Sequence, residues 1–116
     1  MQRFAHAFRG IGCAVRSEAN LRIHFVAAVL VFALAAWLRL SAVDWAMLVL
    51  TVGVVVAFEL LNTAIEKAVD LASAEYHEFA RVAKDTAAGA VLIAAIASVA
   101  VGLCTLGPPL LAILCS

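Results

Sequence analysis

Ser41-Ala-Val-Asp44-Trp45-Ala-Met-Leu-Val-Leu-Thr51-Val-Gly-Val-Val-Val-Ala-Phe58-Glu59 is the stretch that decides the fold. Ser41 and Asp44 have the S-x-x-D spacing of a helix start. From Trp45 to Phe58 no residue is charged. A spanning helix needs about 20 apolar residues, so this run is too short unless Glu59 is counted within it. At about 1.5 Å rise per residue, Glu59 lies roughly 22 Å along the helix from Asp44. In a hydrocarbon layer about 30 Å thick, that is inside the membrane or at its far edge. The stretch reads as a spanning helix with a carboxylate at membrane depth.

Apolar runs flank it on both sides. Ile23–Leu38 is interrupted only by His24, near its start, and closed by Arg39. Thr86–Leu106 is uncharged and meets Gly107-Pro108-Pro109, a helix stop by its residue types. Of the 116 residues 66% are hydrophobic, whereas a soluble domain is about half apolar. So much apolar surface cannot all be hidden in a core this small, but lipid-facing positions can stay apolar. The expected fold is an all-α integral membrane protein forming a single domain, residues 1–116. Its parts are a surface helix (1–18) and spans at 21–40, 42–70 with a cytoplasmic extension, and 84–106.

The start of the chain is not read as a secretory signal, which would place an apolar region directly behind a basic start. Arg3, Arg9 and Arg16 are mixed with Phe4, Phe8, Ile11 and Val15, whose spacing puts them on one helix face. A basic amphipathic helix of this kind lies flat on a membrane surface. Seven of the eight basic residues fall on one side of the spans, Arg39 being the exception. By the positive-inside rule the N-terminus and the 67–85 segment are expected to be cytoplasmic and the C-terminal tail outside. With a formal charge of zero there is no basic surplus for nucleic acid. Cys13, Cys104 and Cys115 lack ligand spacing and read as small apolar residues.

The chemistry gathers on the continuation of the second span, Glu59-Leu-Leu-Asn62-Thr-Ala-Ile-Glu66-Lys-Ala-Val-Asp70. At about 100° per residue, Glu59, Asn62, Glu66 and Asp70 fall within an arc of roughly 80°. A polar seam between helices, or snorkelling at the interface, accounts for one such carboxylate. Several on one face repel one another unless a cation sits among them, and hard oxygen ligands suit Mg²⁺ with phosphate oxygens completing its shell. Glu18, at the same depth as the cytoplasmic end of the stripe, is placed to share an ion with Glu66. The small-residue row Ala90, Ala94, Ser98 and Gly102 permits close helix approach and self-association.

The motif from Glu59 to Asp70, followed by Glu75-Tyr76-His77-Glu78, Ala83-Lys84-Asp85 and Ala87–Leu92, resembles the prokaryotic diacylglycerol kinase family, which includes undecaprenol kinases. The segment Glu18-x-Asn20-x-Arg22-Ile23-His24 is similar to its Gram-positive branch. The resemblance implies a homotrimer with a composite site that uses ATP and Mg²⁺ to phosphorylate a membrane lipid alcohol, diacylglycerol or undecaprenol. It makes Glu59 the catalytic base and Glu18 and Glu66 the metal-binding carboxylates. His6, Glu18, Asn62, Glu66, Glu75, Tyr76, His77, Lys84 and Asp85 become nucleotide-site residues, and Arg3, Glu59 and Ala88 lipid-site residues. Three departures stand out: the longer Gram-negative N-terminal arm has no counterpart, leaving its arginine without a clear match and Arg3 as the candidate substitute; His6 stands in place of a tyrosine; and Ala88 stands in place of a serine. A poorly solvated carboxylate at headgroup depth suits general-base work on a lipid hydroxyl. The rival reading is a small channel or transporter subunit without ATP turnover. It would need polar groups along the full length of a path, whereas these cluster toward one side.

Overall fold

The computed structural model describes residues 2–73, 75 and 77–116. Tyr76, one of the expected nucleotide-site residues, lies outside the described residues. Four helices follow one another: α1 (Gln2–Ser17), α2 (Ala19–Leu38), α3 (Ala42–Ala72) and α4 (Glu78–Leu114). The last three are long and apolar enough to cross a membrane.

The corner between α1 and α2 turns at Glu18, whose extended backbone precedes the first turn of α2. Arg22 secures it from one turn further on. Its Nη1 donates to the carbonyls of Val15 and Arg16, both at 2.9 Å, answering acceptors left open at the end of α1. Helix α2 ends with Arg39 in the left-handed conformation (φ 56°), while the Leu40 N–H reaches back to the Ala35 carbonyl and the Arg39 N–H to Ala36. Those two bonds make a Schellman closure, with arginine in the position that glycine usually takes.

Helix α3 starts where its S-x-x-D signature places it: the Ser41 hydroxyl accepts from the Asp44 N–H at 3.2 Å. Ser41→Ala should cost about 1 kcal/mol, the usual value of such a cap. A shift in the denaturation midpoint of the purified protein in detergent checks this, and an unchanged midpoint would show that the cap contributes nothing.

Buried positions repeat every seven residues, at Leu21, Ala28 and Ala35 on α2, Leu48 and Val55 on α3, and Ala87 and Ala94 on α4. A seven-residue repeat keeps one seam of each helix against its neighbours, and alanine in the seam lets backbones approach closely. The most extensive contact is between α3 and α4. Ala94 of the small-residue row is buried within the chain. It lines an α3–α4 groove with Ser98, while Ser98 and Gly102 also line a cavity between α2, α3 and α4. Much of the row is therefore used inside one chain. Large apolar side chains such as Val29, Leu50, Leu92, Ile93 and Leu103 face outward.

Gly107-Pro108-Pro109 does not end the third span: α4 continues through both prolines to Leu114. Pro108 and Pro109 withhold the N–H groups that the Cys104 and Thr105 carbonyls would otherwise receive. The segment beyond, Leu110-Leu-Ala-Ile-Leu114, consists of residues that favour helix or tolerate it. In an apolar setting an unwound backbone would leave more groups unpaired than the two prolines do.

Candidate active site

Glu59 is the buried carboxylate of α3, 8% exposed. It faces α2 in the chain interior, and its Oε1 meets His24 Nε2 at 3.1 Å. If Glu59 is ionised, its carboxylate can only accept, and the contact is then a donation from an imidazole that carries its proton on Nε2. Thr63, one turn along, gives its hydroxyl to the Glu59 carbonyl at 3.1 Å.

The next turns of α3 carry Asn62 and Glu66. Asn62 Nδ2 donates to Glu66 Oε1 at 3.3 Å. Asn62 Oδ1 is buried and accepts no hydrogen bond among the described residues. A buried amide oxygen without a donor is costly. Asn62 turns its amide nitrogen to Glu66, while its oxygen and the Glu66 carboxylate are both hard donors of the type that Mg²⁺ takes. Glu18 is half-buried at the head of α2, and its carboxylate makes no capping bond. Among the described residues of one chain, no three His, Cys, Asp or Glu side chains gather as a closed metal cage. An open set of few protein oxygens is what Mg²⁺ uses when substrate phosphates fill the remaining positions, so the donors present fit a metal-nucleotide.

Beyond Glu66, Asp70 reaches across to α4 and pairs with Lys84. Glu66 is also close enough to attract the Lys84 ammonium. This ion pair joins the end of α3 to the start of α4 around a depression lined by Asp70, Ser73, Glu75, His77, Arg81 and Lys84. Local bonds shape its rim. Ser73 Oγ donates to the Glu75 carbonyl at 2.7 Å, and His77 caps α4 by accepting the Phe79 N–H on Nδ1 at 3.0 Å. Arg81 bonds Asp85 at 3.1 Å and also pairs with Glu78. Three of the expected nucleotide-site residues, Glu75, His77 and Lys84, thus share one polar depression.

Other expected residues are not brought together. Arg3 and His6 are exposed on α1, and Ala88 is exposed on α4. Arg3 and His6 make no hydrogen bond or ion pair among the described residues. The groove between α1 and α3 is lined by Ala7, Ile11, Cys13, Leu60, Thr63 and Lys67, without either of them. Asp85 is paired with Arg81 and lies outside the depression. Sequence reasoning gave His24 no role. Its signal was present all the same, as the one polar interruption of the Ile23–Leu38 run.

Fold and site together define a small multi-pass membrane protein with an acidic stripe along its central spanning helix. A family profile described as prokaryotic diacylglycerol kinase matches residues 5–106. A Synechocystis diacylglycerol kinase is 49% identical over 112 residues, which is 96% of this chain and 64% of that relative. A Bacillus subtilis undecaprenol kinase is 42% identical over 107 residues, 92% of this chain and 87% of the relative. An Escherichia coli diacylglycerol kinase is 39% identical over 94 residues, 81% of this chain and 77% of the relative. The chain belongs to the prokaryotic diacylglycerol kinase family, a family of lipid kinases.

Proposed function

We infer that this chain is an ATP-dependent lipid kinase that phosphorylates the hydroxyl of a membrane lipid, diacylglycerol or undecaprenol, at the cytoplasmic interface. The observation that carries the reading is the order of groups along α3. Buried Glu59 comes first, then the Asn62–Glu66 pair, then Asp70 bound to Lys84 at the polar depression. From Glu59 to Asp70 is roughly 16 Å along the helix, a length that an extended nucleotide spans.

Each group has a task in that order. Glu75 and His77 line the depression that receives the nucleoside end, and Lys84 draws in the phosphates. Glu59 Oε2 accepts no hydrogen bond among the described residues, so it is free to take the proton of the lipid hydroxyl. The alcohol oxygen then bonds to the γ-phosphorus as the bond from phosphorus to the β–γ bridging oxygen breaks, and ADP departs. Glu66, with Glu18 and Asn62 Oδ1, would hold Mg²⁺, which when bound supplies neutralising charge for the triphosphate. Phosphoryl transfer depends mainly on positioning and charge neutralisation, and these residues offer both.

The outward-facing apolar side chains leave surface for lipid and for further copies of the chain, in keeping with a homotrimer whose site draws on neighbouring subunits. Arg3, His6 and Ala88 find their roles there rather than inside one protomer. In this reading α1 lies on the inner leaflet of the cell membrane and the N-terminus is cytoplasmic. A channel is disfavoured by the run from Trp45 to Phe58. Its one hydroxyl, on Thr51, is spent on the Met47 carbonyl at 2.7 Å.

The test is to incubate the purified protein in vesicles with γ-labelled ATP and a mixed panel of lipid alcohols. Label should enter diacylglycerol or undecaprenol and require Mg²⁺. Label confined to water-soluble products, or no consumption of ATP, would reject the reading.

A further inference from the structure

We propose that His24 is a positioning residue for Glu59, holding one carboxylate oxygen so that the other stays open to the lipid hydroxyl. The inference rests on the reading of Glu59 as the base, and it gives a residue within α2 a part in the proton transfer.

Three observations support it. The Nε2–Oε1 distance of 3.1 Å joins residues 35 apart in sequence, so tertiary packing alone makes the contact. The pair is partly withdrawn from solvent, the His24 side chain being 31% exposed and that of Glu59 10%. Among the described residues His24 has no competing polar contact. It opens onto the cavity between α2, α3 and α4, lined by Ala27, Ala28, Val31, Leu48, Val55 and Val56, where Thr51 and Ser98 are the other polar side chains among the described residues. Both of those hydroxyls are committed to their own helices, Thr51 to Met47 and Ser98 to the Ala95 carbonyl at 2.7 Å.

The physical consequence is geometric. A glutamate has three side-chain torsions, and at membrane depth water is scarce as a hydrogen-bond donor. Donation from a ring carried by a neighbouring helix selects one orientation of the carboxylate and satisfies one oxygen with a proton donor. Glu59 Oε2 is left as the acceptor, and it accepts no other bond among the described residues. A base held in its reactive orientation avoids the rate penalty that even a small misplacement brings.

Two amide substitutions separate this role from a structural one. In His24→Gln the amide nitrogen sits as many bonds from the backbone as Nε2 does, so it can donate to Glu59. In His24→Asn the same amide is one carbon short and cannot reach. The expected result is that His24→Gln keeps kcat within about threefold of the parent protein, while His24→Asn loses about tenfold to a hundredfold. KM for ATP should be the same in both, and both should retain the parent's helical content and assembly. Equal kcat in the two variants, whether high or low, would overturn the role of His24, and so would a change confined to KM. Glu59→Gln, run alongside, tells the two failures apart. Normal turnover in Glu59→Gln would remove the base itself, whereas a silent Glu59→Gln with His24→Asn at full rate would remove only the positioning.

Discussion

A Glu59→Gln variant should purify as a folded helical protein and transfer phosphate to lipid at least about a hundredfold more slowly than the parent. The substitution keeps the shape of the side chain, and its amide oxygen can still accept from His24, so the packing of α2 on α3 survives. What it loses is an acceptor basic enough to take the hydroxyl proton. General-base groups contribute about 10²–10⁴-fold to rate, so the expected fall in kcat is of that order. Circular dichroism and size-exclusion profiles should match the parent. Turnover at the parental rate would take Glu59 out of the mechanism.

The second large effect is expected at Glu66. It accepts from Asn62 Nδ2 and attracts Lys84, and Asn62 Oδ1, without a partner among the described residues, is a second hard donor on the stripe. Glu66→Gln removes one negative charge and leaves a weaker ligand. Mg²⁺ is held by few protein carboxylates, so losing one should move the Mg²⁺ requirement upward by at least roughly tenfold. Saturating Mg²⁺ should then restore part of the rate. The check is a titration of activity against Mg²⁺ at fixed ATP. A curve that coincides with the parent's would exclude Glu66 from the metal site.

Much of the fold could be read from residue types because the bilayer leaves few alternatives. An uncharged run behind a Ser-x-x-Asp cap has to become a helix that bonds its own backbone, and α3 begins at that cap. The stripe was legible for the same reason, since helical spacing fixes which of Glu59, Asn62, Glu66 and Asp70 share a face. Features that depend on contact between helices were harder to read. His24 looked like a lone polar interruption until α2 was placed against α3, because nothing local links positions 24 and 59. The role of Asp70 as the anchor of Lys84 depends likewise on how the start of α4 lies against the end of α3. Ala94 and Ser98 read as a seam for self-association, but small residues serve any close helix pair, and here they lie against α3. The Gly-Pro-Pro reading failed for a different reason. Proline is a stop signal in water, where freed carbonyls find solvent, and a weaker one where continuing the helix is the better way to satisfy the backbone.

The account is tested most directly by measuring two products of one reaction. Vesicles containing the purified protein, ATP, Mg²⁺ and a lipid alcohol are sampled over time for ADP and for the phosphorylated lipid. Transfer beside the α3 carboxylates predicts that the two appear in equal amounts and that both slow together, at least about a hundredfold, in Glu59→Gln. ADP without phosphorylated lipid, or phosphorylated lipid formed at the parental rate in Glu59→Gln, would contradict it.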